Sequence, residues 1–300
     1  MIVASPAPSI GRGLRQRAEQ LAAAVPPLMV AAERVAATVA QGVHGRRRVG
    51  QGETFWQFRR FEQGDAPSQV DWRQSGKRQS LFVRQNEWEA AESVWLWRDA
   101  SPSMTYRSRG VEQTKRERAE LLLLALATLL IRGGERVALL EEKQLPTTGR
   151  ATIERLAQHI TRFAAREGPS LPERTELPRF AQVVLFGDFL SPAEETESLV
   201  RRLAAGGVKG ALMQVLDPSE EDFPFSGRTR FEGLEGEGSL IIGRVETLRE
   251  DYERRLADRR RALAAICRRT GWSYLTHRTD RPPQTALLAL YAALSGGRDW

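Results

Sequence analysis

The chain has 300 residues and a formal net charge of +7, from 45 Lys and Arg against 38 Asp and Glu. Hydrophobic residues make up 41% and charged residues 28%, which is the balance of a globular protein rather than a disordered or fibrous one. One cysteine, Cys267, excludes an internal disulfide framework, and three widely separated histidines leave little material for a zinc site.

The N-terminal part of the chain is predicted to be a helical arm over residues 1–44. Residues 13–40 have a helical pattern of Ala, Leu and Val, interrupted at Pro26 and Pro27. The apolar face is too thin to make a core of its own. We therefore expect the arm to pack on another part of the protein.

Residues 45–92 have a different character and are predicted to form a β-rich basic segment. Glycines separate short runs in which aromatic and polar residues alternate, such as residues 54–61 and 80–88, and this alternation indicates antiparallel strands. Between residues 44 and 84, nine Lys or Arg face four Asp or Glu, so most of the excess positive charge lies here.

From Ser93 onward, predicted strands alternate with predicted helices. The strands fall at residues 94–97, 136–142, 182–188, 210–217 and 272–277, and the helices at residues 111–131, 151–165, 192–205, 245–270 and 285–294. Such alternation is typical of a parallel sheet covered on both faces, so the predicted fold class is a doubly wound, mostly parallel α/β domain over residues 93–300. A hairpin over residues 228–243 is expected at the edge of this sheet.

The most apolar run predicts a buried helix rather than a membrane span. Residues 121–131 are 11 residues long and are flanked by Glu120 and Arg132, whereas a spanning helix needs roughly 20 apolar residues. The first residues lack the apolar core of a secretory signal. These observations predict a cytoplasmic protein with no transmembrane segment.

The candidate site lies where the predicted strands end. Ligands of an open parallel sheet bind beyond the carboxyl ends of its strands. The first strand of the α/β domain is followed by Asp99, Ser101 and Ser103 in a D-x-S-x-S turn, and the third is followed by Asp188. Spacings of two in an extended turn let the first three side chains point the same way. We therefore expect two carboxylates and two hydroxyls to converge at one edge.

A loop hydroxyl from Thr148, or from its neighbour Thr147, is a weaker candidate for the same edge. The full set offers only hard oxygen donors, which suit Mg²⁺, and Mn²⁺ or Ca²⁺ less selectively. The alternative is that the serines and Asp99 only cap the following turn. Arg98 directly precedes Asp99 and would bring a cation to the site unless its side chain points to the other face.

This pattern resembles the metal-ion-dependent adhesion site of von Willebrand factor A-like domains. The stretch before it has a series of motifs in a fixed order: Arg47-Arg48, Gly50-Gln51-Gly52, Phe55, Arg59-Arg60-Phe61, Gly64-Asp65, Val70-Asp71-Trp72-Arg73, Leu81-Phe82-Val83-Arg84 and Glu89. These motifs are similar to those of a more specific bacterial family, the domain of unknown function 58.

The resemblance implies a non-enzymatic protein-interaction module that works with a MoxR-type AAA+ ATPase in chaperone-like maturation of other proteins. Carried over residue by residue, it implies Asp99, Ser101, Ser103, Thr148 and Asp188 as metal ligands. A partner would then be held through a carboxylate that completes the coordination of the metal ion.

Two other functions stay open. A metal-dependent phosphoester hydrolase would need a general base near Asp99, and the sequence offers no evident one. Aromatic residues interleaved with Arg in the basic segment are compatible with nucleic-acid binding, but ion pairs with the nearby acidic residues are the favoured interpretation. No catalytic residue is predicted, because the chain has neither a nucleophile elbow nor a P-loop.

Overall fold

A computed structural model describes residues 27–40, the backbone of residues 55–60 and 82–86, and residues 93–295 except 143, 164–165, 174–175 and 237. The chain divides into two compact units, one made of residues 43–91 and the other of residues 1–42 together with 92–300. Residues 13–26 of the predicted arm, and the side chains of the basic segment, lie outside the described residues.

Residues 27–40 form a helix, α1. In the smaller unit, strands β1 (Phe55–Arg60) and β2 (Phe82–Asn86) pair in an antiparallel sheet. This pairing confirms the antiparallel strands predicted from the alternation of aromatic and polar residues.

The larger unit is built on a five-stranded parallel sheet. Its strands are β3 (Ser93–Arg98), β4 (Arg136–Leu139), β5 (Gln182–Gly187), β6 (Lys209–Leu216) and β9 (Ser273–Arg278), in the spatial order β4-β3-β5-β6-β9. Every neighbouring pair in this sheet is parallel. The predicted α/β fold class is confirmed.

Helices cover both faces of the sheet. Their bounds are α2 (Lys115–Arg132), α3 (Arg150–Arg162), α4 (Ala193–Ala205), α5 (Pro218–Asp222), α6 (Arg249–Thr270) and α7 (Pro283–Ser295). Short 3₁₀ turns lie at Pro102–Thr105 and Val245–Leu248. Helix α2 packs with α3 and α7. Helices α4 and α6 cover the face that carries the buried residues Trp95, Trp97 and Leu185.

The apolar run at residues 121–131 lies within α2 and is a core element. A capping box starts this helix, since Thr114 accepts a hydrogen bond from the Glu117 N–H and Glu117 accepts one from the Thr114 N–H. Residues 119–130 are buried throughout. Within the described residues, no helix combines the length and apolarity needed to cross a bilayer.

The predicted hairpin forms, but not at the edge of the main sheet. Strands β7 (Thr229–Glu232) and β8 (Ser239–Ile242) pair only with each other, as a separate two-stranded sheet. Strands β4 and β9 occupy the two edges of the main sheet. The pattern of residues 228–243 predicts two paired strands, but it does not specify whether they also pair with a strand of the main sheet.

Candidate functional site

The order of the strands creates a crevice between β3 and β5. The chain leaves β3 through α2 to reach β4 on one side, and then crosses back to place β5 on the other side of β3. Loops that leave the carboxyl ends of two such strands diverge, and this is where open α/β sheets bind ligands. Asp99 follows β3 and Asp188 follows β5, so the two aspartates flank the crevice.

The four predicted side chains from Asp99, Ser101, Ser103 and Asp188 come together. Asp99 Oδ1 accepts a hydrogen bond from the Ser101 N–H at 2.8 Å, and the Ser101 and Ser103 hydroxyl oxygens lie 3.1 Å apart. Ser103 Oγ donates to Asp188 Oδ2 at 2.7 Å. The predicted convergence of two carboxylates and two hydroxyls is present in the structure.

Backbone contacts fix both aspartates. The Asp99 N–H donates to Phe186 O at 2.7 Å and ties the end of β3 to β5. The Leu190 N–H donates to Asp188 Oδ1 at 3.1 Å, and Gln214 donates to the Asp188 carbonyl at 2.9 Å. Asp188 is therefore held by the loop that follows it and by the neighbouring strand β6.

One oxygen of Asp99 has no hydrogen-bond partner. Asp99 has no exposed surface, and its Oδ2 is buried and unpaired. Burial, together with the nearby negative charge of Asp188, raises the pKa of Asp99 to about 7. A buried carboxylate oxygen without a donor is costly, and a proton or a cation would remove that cost.

A lysine and a glutamate that the sequence analysis did not single out belong to the same cluster. Lys115, the first residue of α2, donates from Nζ to Asp188 Oδ2 at 2.9 Å and to Glu220 Oε1 at 2.6 Å. Its side chain is fully buried. Burial alone would lower the pKa of Lys115, but the carboxylates of Asp188 and Glu220 raise it above its ordinary value, so the ammonium is charged.

Arg98 does not enter the site. Its Nε lies 2.9 Å from Glu120 Oε1 on α2, and both side chains are buried. Successive residues of a strand point to opposite faces, so Arg98 faces α2 whereas the preceding Trp97 lies in the core on the other face. Arg116, which follows Lys115 in α2, donates to the carbonyls of Ala100 and Ser101 and so stabilises the turn after β3.

Thr147 and Thr148 do not join the cluster. Thr147 pairs antiparallel with Val137, which is level with Val94 on β3. Val94 precedes Asp99 by five residues, about 16 Å of strand at 3.3 Å per residue. Both threonines are exposed, and the Thr147 hydroxyl contacts Thr152 at 2.9 Å. The chain reverses after β4, and this reversal carries the loop toward the amino ends of the strands.

The segment that does reach the turn after β3 comes from farther along the chain. The Gly168 N–H donates to Ala100 O at 3.0 Å. The two described histidines contact other groups: His159 lies beside Glu141 and Glu142, and His277 lies beside Arg118. No hydrogen bond or ion pair of the described residues brings an imidazole to Asp99.

Comparison with known proteins identifies the family. A family model described as "Protein of unknown function DUF58" matches residues 57–262. The chain belongs to the DUF58 family. The resemblance carried by the motifs before Asp99 is thereby confirmed at the level of the family.

Two solved structures are similar to this DUF58 chain. One is a conserved hypothetical protein, BatB, from Bacteroides thetaiotaomicron, with 14% identity and a TM-score of 0.41. The other is an aerotolerance-related membrane protein from Bacteroides fragilis with multiple mutations to serines, with 13% identity and a TM-score of 0.40. Each similarity covers 69% of this chain and 100% of the other chain. The comparison with curated proteins gives no match.

The donor set of the DUF58 chain fits a hard divalent cation. Within the described residues, no group of three or more His, Cys, Asp or Glu side chains is arranged to hold a metal ion, so a cation here would need the serine hydroxyls as well. Asp99 Oδ2 supplies a buried, unpaired carboxylate oxygen, and Ser101, Ser103 and Asp188 supply the other oxygens. Oxygen donors of this kind are those that Mg²⁺ prefers.

Proposed function

We propose that this DUF58 chain is a non-enzymatic protein-interaction module that uses a divalent cation, Mg²⁺ in the first instance, at the carboxyl edge of its sheet. Asp99, Ser101, Ser103 and Asp188 would hold the cation. When bound, it supplies a Lewis-acidic coordination position for a carboxylate of a partner protein. The observation that carries the proposal is the buried, unpaired Oδ2 of Asp99 beside a second carboxylate.

The chain's own residues prepare the site for this task. Ser103 Oγ and the Leu190 N–H orient the two oxygens of Asp188, and the Ser101 N–H orients Asp99. Leu190, directly beside the site, is 48% exposed and offers an apolar contact next to the charged one. A partner segment with an acidic residue flanked by apolar residues matches this arrangement.

The family resemblance favours a MoxR-type AAA+ ATPase as the working partner, with a role in maturing other proteins in the cytoplasm. A hydrolytic function has less support, because no hydrogen bond or ion pair of the described residues brings a histidine to Asp99. Nucleic-acid binding through the basic segment is the second alternative, and it predicts steeply salt-dependent binding that survives Asp99→Ala.

The test is binding of the full chain to a purified MoxR-type ATPase from the same genome, with Mg²⁺ present. We expect Asp99→Ala to abolish binding. This variant is a cleaner test than a chelator, because EDTA also disables the ATPase. Asp251→Asn, which removes a 55% exposed carboxylate of α6, is the matched control and should bind like the native chain. Undiminished binding of Asp99→Ala would refute the proposed role of the site.

A further inference from the structure

Lys115 is the feature of the site that the proposed function does not yet use. Its side chain has no exposed surface, which is rare for a lysine. Burying an ammonium is costly unless carboxylates compensate for it. Here two do so, Asp188 at 2.9 Å and Glu220 at 2.6 Å. The lysine is therefore built into the site and is not a surface residue at its rim.

The charges of the cluster separate into two groups. Asp99, Asp188 and Glu220 contribute three negative charges when ionised, and Lys115 contributes one positive charge. Lys115 is closer to Glu220 than to Asp188, so we pair the charge of the lysine with that of Glu220. The two remaining negative charges, on Asp99 and Asp188, equal the charge that one divalent cation neutralises.

Lys115 and a bound cation would compete for one atom, Asp188 Oδ2. Asp188 Oδ2 already accepts from both Ser103 Oγ and Lys115 Nζ. Coordination of this oxygen requires that one donor leave. The Ser103 hydroxyl can stay, because its own oxygen is a suitable ligand, whereas an ammonium has no lone pair to offer.

We propose that Lys115 competes with the divalent cation for Asp188, and that Glu220 retains the lysine when the cation binds. The inference rests on the proposed function and adds its regulation. Glu220 is suited to this role because it is anchored independently of Asp188: its second oxygen accepts from the Asp217 N–H at 2.8 Å. Lys115 can leave Asp188 without becoming an unpaired buried charge.

The experiment measures Mn²⁺ binding to the full chain by the loss of the free-Mn²⁺ electron paramagnetic resonance signal. In Lys115→Met we expect Mn²⁺ to bind about tenfold tighter than in the native chain, because the competing charge is gone. Lys115→Arg keeps the charge and should show no gain. Arg259→Gln, which removes a cation that contacts the Phe189 carbonyl but no carboxylate of the cluster, should gain less than about threefold.

A second variant tests Glu220 without replacing the lysine. In Glu220→Gln, Lys115 has Asp188 as its only carboxylate partner, so Mn²⁺ binding should weaken about tenfold. This weakening should shrink in the double variant with Lys115→Met. An unchanged affinity in Lys115→Met, or a gain in Glu220→Gln, would overturn the competition while leaving the metal site standing. If neither the native chain nor Lys115→Met binds Mn²⁺, both the site and the competition are refuted.

Discussion

Two strands of the sheet end in the same local motif, and only one of them forms the candidate site. Asp99 follows β3 and accepts from the Ser101 N–H at 2.8 Å, and Asp217 follows β6 and accepts from the Ser219 N–H at 2.9 Å. Both aspartates have no exposed surface. They differ in the second oxygen: Asp217 Oδ2 accepts from the Ser108 N–H at 2.8 Å, whereas Asp99 Oδ2 has no partner.

The pKa values of the two carboxyls follow this difference. Burial, with the charge of Asp188, raises the pKa of Asp99 to about 7. Burial acts on Asp217 too, but hydrogen bonds from Ser108 and Ser219 outweigh it and lower the pKa of that carboxyl. An aspartate followed by a serine two residues later therefore stabilises a turn in both places. It forms a candidate metal site only where one carboxylate oxygen has no hydrogen-bond donor and lies near a second carboxylate.

The largest expected effect is the difference in stability between the two variants in which asparagine replaces Asp217 or Asp99. Asp217→Asn puts an amide where three donors converge, and it should lower the free energy of unfolding by about 3 kcal/mol. Asp99→Asn removes an uncompensated buried charge, so with EDTA present it should change the free energy of unfolding by less than about 1 kcal/mol. Urea denaturation at pH 8 measures both. Equal losses would show that the two turns are equivalent.

The pH of that comparison has to avoid the titration of His277. This side chain is 5% exposed and lies 3.3 Å from Arg118 Nη1. Burial, with the charge of Arg118, lowers the pKa of His277 to about 4. The unfolded chain therefore binds a proton at a higher pH than the folded chain does. The contribution of His277 to the free energy of unfolding falls by about 3 kcal/mol as the pH drops from about 6.5 to 4.

His277→Gln should remove this part of the acid sensitivity, as followed by urea denaturation at several pH values. A slope that persists in His277→Gln would assign the acid sensitivity to other groups.

Much of the fold can be predicted from the sequence because the sheet is buried on both faces. Strands β3 to β6 each contain a short buried apolar run, so the pattern marks them clearly, whereas the edge strand β9 is more polar and only partly buried. The prediction of a hairpin over residues 228–243 is confirmed, but its place at the edge of the main sheet is wrong. Whether a hairpin joins a larger sheet depends on packing, which the local sequence pattern does not specify.

The site was predictable only where it depends on strand ends. Asp99 and Asp188 follow strands, and the topology brings strand ends together. Lys115 is the first residue of α2, and a lysine at a helix start is ordinarily exposed to solvent. Glu220 lies in the five-residue helix α5, which is too short to show a helical pattern of apolar residues. The reversal of the chain after β4, which takes Thr148 away from the cluster, has no signal in the local sequence.

A divalent cation sharpens the contrast between the two turns. At ten times its dissociation constant, Mg²⁺ should raise the free energy of unfolding of the native chain by about 1.4 kcal/mol. Asp217→Asn should show a similar increment from a lower starting value, because its side chain is not a ligand and the substitution keeps the backbone N–H that anchors Glu220. Asp99→Asn should show none. Thermal unfolding with and without Mg²⁺ provides the measurement, and stabilisation of Asp99→Asn would place the cation elsewhere.

The smallest effect concerns Gly187, the last residue of β5, which leaves room for the unpaired oxygen. A Cβ added here would lie 3.0 Å from Asp99 Cβ and 3.1 Å from Asp99 Oδ2. Gly187→Ala should therefore cost about 1 kcal/mol of stability through overpacking, measured by urea denaturation. Mn²⁺ binding should weaken several-fold, because the methyl group displaces the oxygen that distinguishes Asp99 from Asp217. Gly243→Ala is the control, since its Cβ would meet no atom within 4 Å. A loss of stability in Gly187→Ala with unchanged Mn²⁺ affinity would show that Asp99 Oδ2 holds no cation.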